Sequence, residues 1–456
     1  MMGDEVLIRR RPNIIVFFTD QQRWDSLGVH GNPLSLTPNL DRAASQGTHF
    51  SNTFTCQPVC GPARSCVQTG RYATHTGCFH NGTPLPSDAR TLADHFNDAG
   101  YTTAYVGKWH LGTSEPVVLE QRGGYQFWLA ANALEHTSDS YHTVVYNSQN
   151  ERVELPGYRV DALTDAAIRF IDSQSVTDRP FFLFLSLLAP HHQNKRDDYP
   201  APDGYRERYM GGWTPPDLAS LLGNAHQHLP GYWGMVKKID EAFGRLLDVL
   251  KSKQISDETI VFFTSDHGCH FKTRNGEYKR SCHESSIRVP GVAIGPGFMG
   301  GGRVQELVSL IDLPPTLLDC ACIPVPKVMQ GRSLLPLVHR SHMDWPDDIF
   351  VQISESQVGR CVRTKRWKYS VCAQSLDGRM HPGASEYQDE FLYDLYSDPY
   401  ELTNLVGLSS HQTLVNHLRE RLVKRMLQAG EEKPSFLDAP PIPSGQRRVE
   451  ADEIYE

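Results

Sequence analysis

The chain of 456 residues carries a formal net charge of −8, with 45 Lys and Arg against 53 Asp and Glu. That balance excludes nucleic acid as the main partner, because phosphate backbones select basic surfaces, yet it leaves room for a local basic pocket that takes a small anion. The longest apolar stretch, Phe181 to Ala189, falls well short of the roughly 20 residues a membrane-spanning helix needs, so no membrane partner is expected.

Met1 to Arg11 is charged and holds no apolar leader core, which predicts a cytoplasmic protein. Asn13 to Thr19 is a continuous apolar, β-branched run closing on Asp20, the pattern of a strand buried on both faces. Pro38 to Gln46 reads as a short helix, and Leu92 to Ala99 as another before a strand at Thr102 to Val106. A helix at Val160 to Ser173 precedes the strand Phe181 to Leu187. In Tyr232 to Lys253 the apolar residues Met235, Ile239, Phe243, Leu246 and Leu250 recur at the three-to-four spacing of an amphipathic helix. Strands follow at Thr259 to Thr264 and Gly291 to Ile294.

This alternation predicts an α/β fold with a large, mostly parallel sheet sandwiched by helices, whose ligands collect at the carboxyl ends of the strands. Asp20 and Asp266 stand at such ends. Beyond about Arg340 short strand-like pieces (Ile349 to Ile353, Cys361 to Thr364, Trp367 to Val371) lead into one amphipathic helix, Thr413 to Gln428. We therefore divide the chain into a catalytic α/β domain over 1–340, a smaller C-terminal α+β subdomain over 341–430 and a Pro-rich tail over 431–456. The tail, with Pro434, Pro440, Pro441 and Pro443, has too little apolar content to fold alone. It is expected to pack along the body or along a neighbouring subunit, which makes a homo-oligomer compatible with the chain.

The ten cysteines are too few for a disulfide scaffold at this length. Cys56, Cys60 and Cys66 lack the paired spacing and the His cluster of a zinc knuckle, so free thiols are expected. Cys60 opens the run Cys60-Gly61-Pro62-Ala63-Arg64, followed by Thr69-Gly70-Arg71. A nucleophile needs an activating neighbour, and a place at the start of a helix puts it in a field that favours anions. Alone, these residues read equally well as a buried cysteine in a turn before a helix.

Four further segments stand beside it. Asp20-Gln21 and Thr264-Ser265-Asp266-His267-Gly268 follow apolar strands. Two carboxylates, an amide and an imidazole there would make an oxygen-rich site for Ca²⁺, Mg²⁺ or Mn²⁺. Gly107-Lys108-Trp109-His110-Leu111-Gly112 and Pro190-His191 follow other strands, and Lys279 comes thirteen residues after Asp266.

Together these segments, in this order, resemble the type I sulfatases, the formylglycine-dependent branch of the alkaline phosphatase superfamily. The resemblance runs from about Pro12 to Leu405 and takes in Glu284, Arg288, Val289 and Pro290, Gln330 to Leu334 and Arg363 to Tyr369. It implies an alkaline-phosphatase-like fold and hydrolysis of a sulfate ester. Cys60, converted to formylglycine by a separate maturation enzyme, would attack sulfur through an oxygen of its hydrate. Arg64 would hold that group, and Asp20, Gln21, Cys60, Asp266 and His267 would ligate one divalent metal. Calcium is expected because oxygen donors dominate, with His267 keeping manganese in play and magnesium less favoured. Lys108 and Lys279 would bind the sulfate, His191 would protonate the leaving group and His110 would act as base.

The match departs at Gln193, where the family has proline, at Cys269, where an acidic residue is common, and at His283, which replaces an aromatic and is read as a substrate contact. His192 competes with His191. The substrate class is expected to be a small sulfated molecule, a sugar by default, with His270, Arg274, Asn275 and Arg360 as further subsite candidates. A phosphonate or phosphate ester hydrolase of the same superfamily and a non-turning-over binder of sulfated glycans are the alternatives.

Overall fold

The computed structural model describes residues 11–341, 344–442 and 449–455. The charged stretch up to residue 10, and Pro443, lie outside them. Among the described residues eleven strands form one mixed sheet. Asn13–Thr19 lies at its centre, parallel to Thr259–Ser265 on one side and to Phe181–Ser186 on the other. Thr102–Lys108 continues the parallel run beside Phe181–Ser186, and Phe127–Ala131 beside Thr102–Lys108. The far edges turn antiparallel, through Thr143–Asn147 on one side and Gly291–Ile294 on the other.

The central strand shows why its sequence is apolar throughout. Ile15 and Phe17 face one core with the helices Pro38–Gln46, Arg159–Gln174 and Ala225–Ser252. Ile14, Val16 and Phe18 face the other core with Cys60–Thr69, Leu92–Asp98 and Leu313–Cys320. Side chains alternate across a strand, so burial on both faces demands an unbroken apolar run. The helix expected from Tyr232 starts earlier, at Ala225, and carries Pro230 inside it. Pro230 is the sixth residue, beyond the first turn, so the helix forgoes the bond that an N–H there would give to the His226 carbonyl.

A second sheet of five strands lies toward the C-terminus, ending on Glu386–Asp394 and Ser435–Leu437. The Pro-rich tail supplies that last strand, parallel to Glu386–Gln388. Further on, Ile454 is buried and Trp367 Nε1 donates to the Glu453 carbonyl at 3.1 Å. The tail therefore packs on its own chain. A helix of 17 residues, Gln412–Gln428, covers this sheet.

Buried charges join the two sheets. Glu284 accepts from Lys368 at 2.8 Å and from Arg363 at 3.3 Å, and Lys368 also reaches Glu401 at 2.5 Å. Glu401 in turn accepts the Glu284 backbone N–H at 2.7 Å. No helix among the described residues is long and apolar enough to cross a membrane.

Candidate active site

The parallel strands deliver their carboxyl ends to one edge of the sheet. Asp20 follows Thr19, Asp266 follows Ser265, and Lys108 and Ser186 end their own strands. Cys60 is the first residue of the helix Cys60–Thr69, all ten residues of which are buried. Gly61 leaves little room behind it: a Cβ there would stand 3.0 Å from Asn81 Oδ1 and 3.3 Å from the His110 carbonyl. Gly107 is required, since its φ is +113° and a Cβ would sit 1.9 Å from the Ser186 carbonyl. That close approach brings Lys108 to its place.

Ligand atoms of Asp20, Cys60, Asp266 and His267 all lie within 4.8 Å of one another, and all four residues are buried. His267 Nδ1 pairs with the Gly268 carbonyl at 2.9 Å, which leaves Nε2 facing Cys60 Sγ at 3.2 Å. That arrangement selects the tautomer whose free nitrogen can ligate a cation. Gln21 has its amide nitrogen held by Tyr199 at 2.9 Å and Cys269 at 3.3 Å, while its buried Oε1 has no partner. A buried carbonyl oxygen without a donor is costly unless something electropositive meets it. The donor set and this orphaned oxygen fit a hard divalent cation with Asp20, Gln21, Asp266 and His267 as ligands.

Arg64 crosses beneath the cluster. Its guanidinium donates to Asp20 and Asp266 at 3.1 Å each, to Ser186 Oγ at 2.7 Å and to the Lys108 carbonyl at 2.8 Å. These bonds hold the two carboxylates in place. Lys108 reaches Asp20 at 2.8 Å and Glu135 at 2.9 Å. Lys279 reaches Cys60 Sγ at 2.7 Å, His267 Nε2 at 3.1 Å and His191 Nε2 at 3.3 Å.

Electrostatics follow from this crowding. Burial pushes the Cys60 thiol up, but Lys108, Lys279 and His267 pull it well below the ordinary thiol range. Burial and Cys60 raise the Asp20 carboxyl, and Lys108, His191 and Lys279 outweigh them and hold it low. Burial and the neighbouring Asp20 push Asp266 up. The site is a cationic cradle around paired carboxylates, suited to an anion that develops charge as a bond breaks.

The two adjacent histidines differ. His191 Nδ1 meets the His192 carbonyl at 2.7 Å, leaving Nε2 toward Lys279. His192 stacks behind it, ring centroids 4.4 Å apart, and leans on Tyr278. Only His191 faces the cluster. His110 stands at its rim, 14% exposed, with φ of +64°.

His283 is not brought to Cys60. Its buried ring packs on Phe391 and Tyr393, with Nε2 3.1 Å from the Tyr393 hydroxyl, at the junction of the two sheets. The residue expected as a substrate contact is thus seated in packing between the two sheets. The other subsite candidates are also engaged: His270 and Asn275 hold the Lys279 carbonyl at 3.0 and 3.1 Å. Arg274 donates to the Glu401 and Tyr400 carbonyls, and Arg360 to Glu431. His270 and Asn275 brace the loop that presents Lys279, Arg274 ties that loop to Tyr400 and Glu401, and Arg360 serves the C-terminal sheet.

Sequence reasoning missed Glu135, Tyr199 and Ser186. The one available signal for Glu135 was its place four residues after Phe127–Ala131, a strand whose end is level with Lys108.

Comparison with known proteins agrees with this geometry. The family model described as sulfatase matches residues 12–323, and that of the N-sulphoglucosamine sulphohydrolase C-terminal region matches 276–428. An ulvan-active sulfatase of Formosa agariphila is 30% identical over 440 residues, covering 92% of this chain and 82% of that one. An N-acetylglucosamine-6-O-sulfatase of Bacteroides thetaiotaomicron is 25% identical, covering 93% of this chain and 88% of its own. A structure solved with its substrate D-glucosamine-2-N,6-O-disulfate superposes with a TM-score of 0.77 at 25% identity, covering 93% of this chain and 99% of that one. With the nucleophile helix, paired carboxylates and lysines in place, the chain belongs to the sulfatase family, as a type I sulfuric ester hydrolase of the alkaline phosphatase superfamily.

Proposed function

We propose that the protein hydrolyses a sulfate ester on a carbohydrate, using Cys60 after its oxidation to formylglycine, beside one divalent cation. The observation that carries this reading is the meeting of Cys60, at a helix start, with Asp20, Asp266 and His267 within 4.8 Å. The named substrates of the relatives, ulvan and sulfated glucosamines, support a sugar.

Asp20, Gln21, Asp266 and His267 would hold the cation. Once present, the cation and the formylglycine supply an activated oxygen nucleophile at neutral pH. Arg64 keeps the two carboxylates at fixed separation throughout. Lys108 and Lys279 offset negative charge on the sulfate oxygens as the ester S–O bond breaks. His191 delivers a proton from Nε2 to the leaving alkoxide, and His110 accepts the proton that must be lost before sulfate departs. The sum is one ester and one water giving an alcohol and sulfate.

Parallel assays of the matured enzyme on aryl sulfate, aryl phosphate, aryl phosphonate and defined sulfated sugars test the reading. Preference for the sulfated compounds is expected; turnover of phosphonate alone would assign it to the sister chemistry. Exhaustive chelation is expected to remove activity, and calcium to restore it better than magnesium, because the ligands impose no octahedral geometry. Elemental analysis should find one hard divalent ion per chain. Stoichiometric zinc, or full activity after chelation, would overturn the metal assignment.

We further propose a reducing, cytoplasmic setting. All ten cysteines are free, Cys56 and Cys66 among them in the same core. Thiol titration under denaturing, non-reducing conditions should count every cysteine except the converted Cys60. A disulfide between any two in the active protein would refute this.

A further inference from the structure

Glu135 lies in the short turn of helix Leu134–Thr137, where its side chain is 4% exposed. A buried carboxylate in a cradle for an anion is a cost: it repels sulfate and must be desolvated. Lys108 does not require it, since Asp20 already stands 2.8 Å from the ammonium. Two polar atoms here are left unsatisfied. Glu135 Oε2 and His110 Nδ1 are both buried without a hydrogen-bond partner. His110 Nδ1 stands 4.0 Å from Glu135 Oε1, about 1 Å beyond hydrogen-bond range. His110 also holds a φ of +64°, a backbone conformation that non-glycine residues keep where a site over-determines it.

On the sulfatase reading above, we propose that Glu135 is a positioning residue for sulfate release. Its carboxylate takes the Nδ1–H of His110, which leaves Nε2 free to accept a proton, and its charge limits how tightly Lys108 grips the sulfate. A neutral side chain of the same shape would hold product more firmly and orient His110 less well.

The test pairs Glu135→Gln, which removes only the charge, with Glu135→Asp, which keeps it on a shorter arm. Binding of inorganic sulfate is measured by calorimetry, and kcat and KM on one aryl sulfate. The Gln variant is expected to bind sulfate on the order of 10-fold more tightly, while kcat falls roughly 10²-fold and KM falls with it. The Asp variant should return sulfate affinity to the parent value and leave kcat reduced, because it cannot reach both partners. A purely structural role would weaken sulfate binding and lower kcat and the melting temperature together. Unchanged or weaker sulfate binding in the Gln variant overturns the proposal. If that variant does not fold, the Asp variant decides: a parent-like kcat, or altered sulfate affinity, overturns it. Sulfate binding reads out without turnover. A parent enzyme that hydrolyses no sulfate ester would therefore sink the functional reading, while unchanged or weaker sulfate binding in the Gln variant would overturn the Glu135 proposal by itself.

Discussion

Cys60→Ala is expected to lower kcat by roughly 10⁴-fold or more while the fold persists, because it removes the nucleophile's precursor and no neighbour can replace it. The groups around Sγ are Lys279, His267 and Asp20, at 2.7, 3.2 and 3.5 Å. All of them hold, activate or ligate. The substitution deletes one sulfur atom from the first position of a helix and leaves its backbone bonds untouched. Its structural cost is therefore small, and Lys279 keeps His191 and His267 as neighbours. The measurement is kcat on the best ester beside a thermal unfolding trace. More than trace turnover in a variant that melts near the parent would sink the assignment of Cys60.

The second large effect falls on stability. Arg64→Met should cost about 3–5 kcal/mol, the usual consequence of removing one partner from a buried charge cluster. The Arg64 side chain is 2% exposed, and the carboxylates of Asp20 and Asp266 are fully buried. Both lose their guanidinium at once, and Ser186 Oγ and the Lys108 carbonyl lose a donor. Lys108 still reaches Asp20, but Asp266 is left with only the Gln21 N–H and His267 near it. Arg64→Lys restores a charge but not the fork that spans four acceptors, so it should recover only part of the loss. Urea midpoints of the three proteins, taken in chelator and again with calcium, provide the check. Added calcium should narrow the gap, since it meets the same carboxylates. A Met variant as stable as the parent in chelator would show that the cluster tolerates its own repulsion.

The regular elements were legible where one physical demand dominates. Asn13–Thr19, Pro38–Gln46 and Gly291–Ile294 carry the expected bounds. Burial on two faces, a proline at the helix start and flanking breakers leave little freedom there. The helix Ala225–Ser252 was read short because Pro230 interrupts the local pattern, although Gly231 and Gly234 pack closely against Tyr199 and the segment Ala201–Tyr205. The strand Glu386–Asp394 shows a weak alternation, since its pairing with Trp367–Cys372 shifts register between Ser370 and Val371.

At the site, residues at strand ends were legible because strand and end are both local. Cys60, Asp20, Lys108, His191, Asp266, His267 and Lys279 converge. Glu135 was not, since it stands in a four-residue helix with no pattern of its own. The seat of His283 was not legible either: a histidine near Lys279 in sequence packs on Phe391 and Tyr393, more than a hundred residues on. Polar residues of the same loop read as subsites but serve its backbone, a choice settled only by which carbonyls lie within reach.

The buried joint of Glu284, Lys368 and Glu401 bears on how sulfatases of this build can exchange parts. Glu284 follows Lys279 by one turn of chain, and its carboxylate is neutralised by the C-terminal sheet. The loop that carries Lys279 thus takes its footing from strands nearly a hundred residues later. The seam that matters for recombination lies ahead of Lys279 rather than near residue 340, and the second family match, beginning at 276 and ending at 428, spans the same block. A chimera that joined this catalytic sheet to another relative's C-terminal part at residue 340 would part Glu284 from Lys368 and Arg363 and leave it Arg288 from its own side. Crossing over before 276 moves lysine loop and footing as one inherited piece.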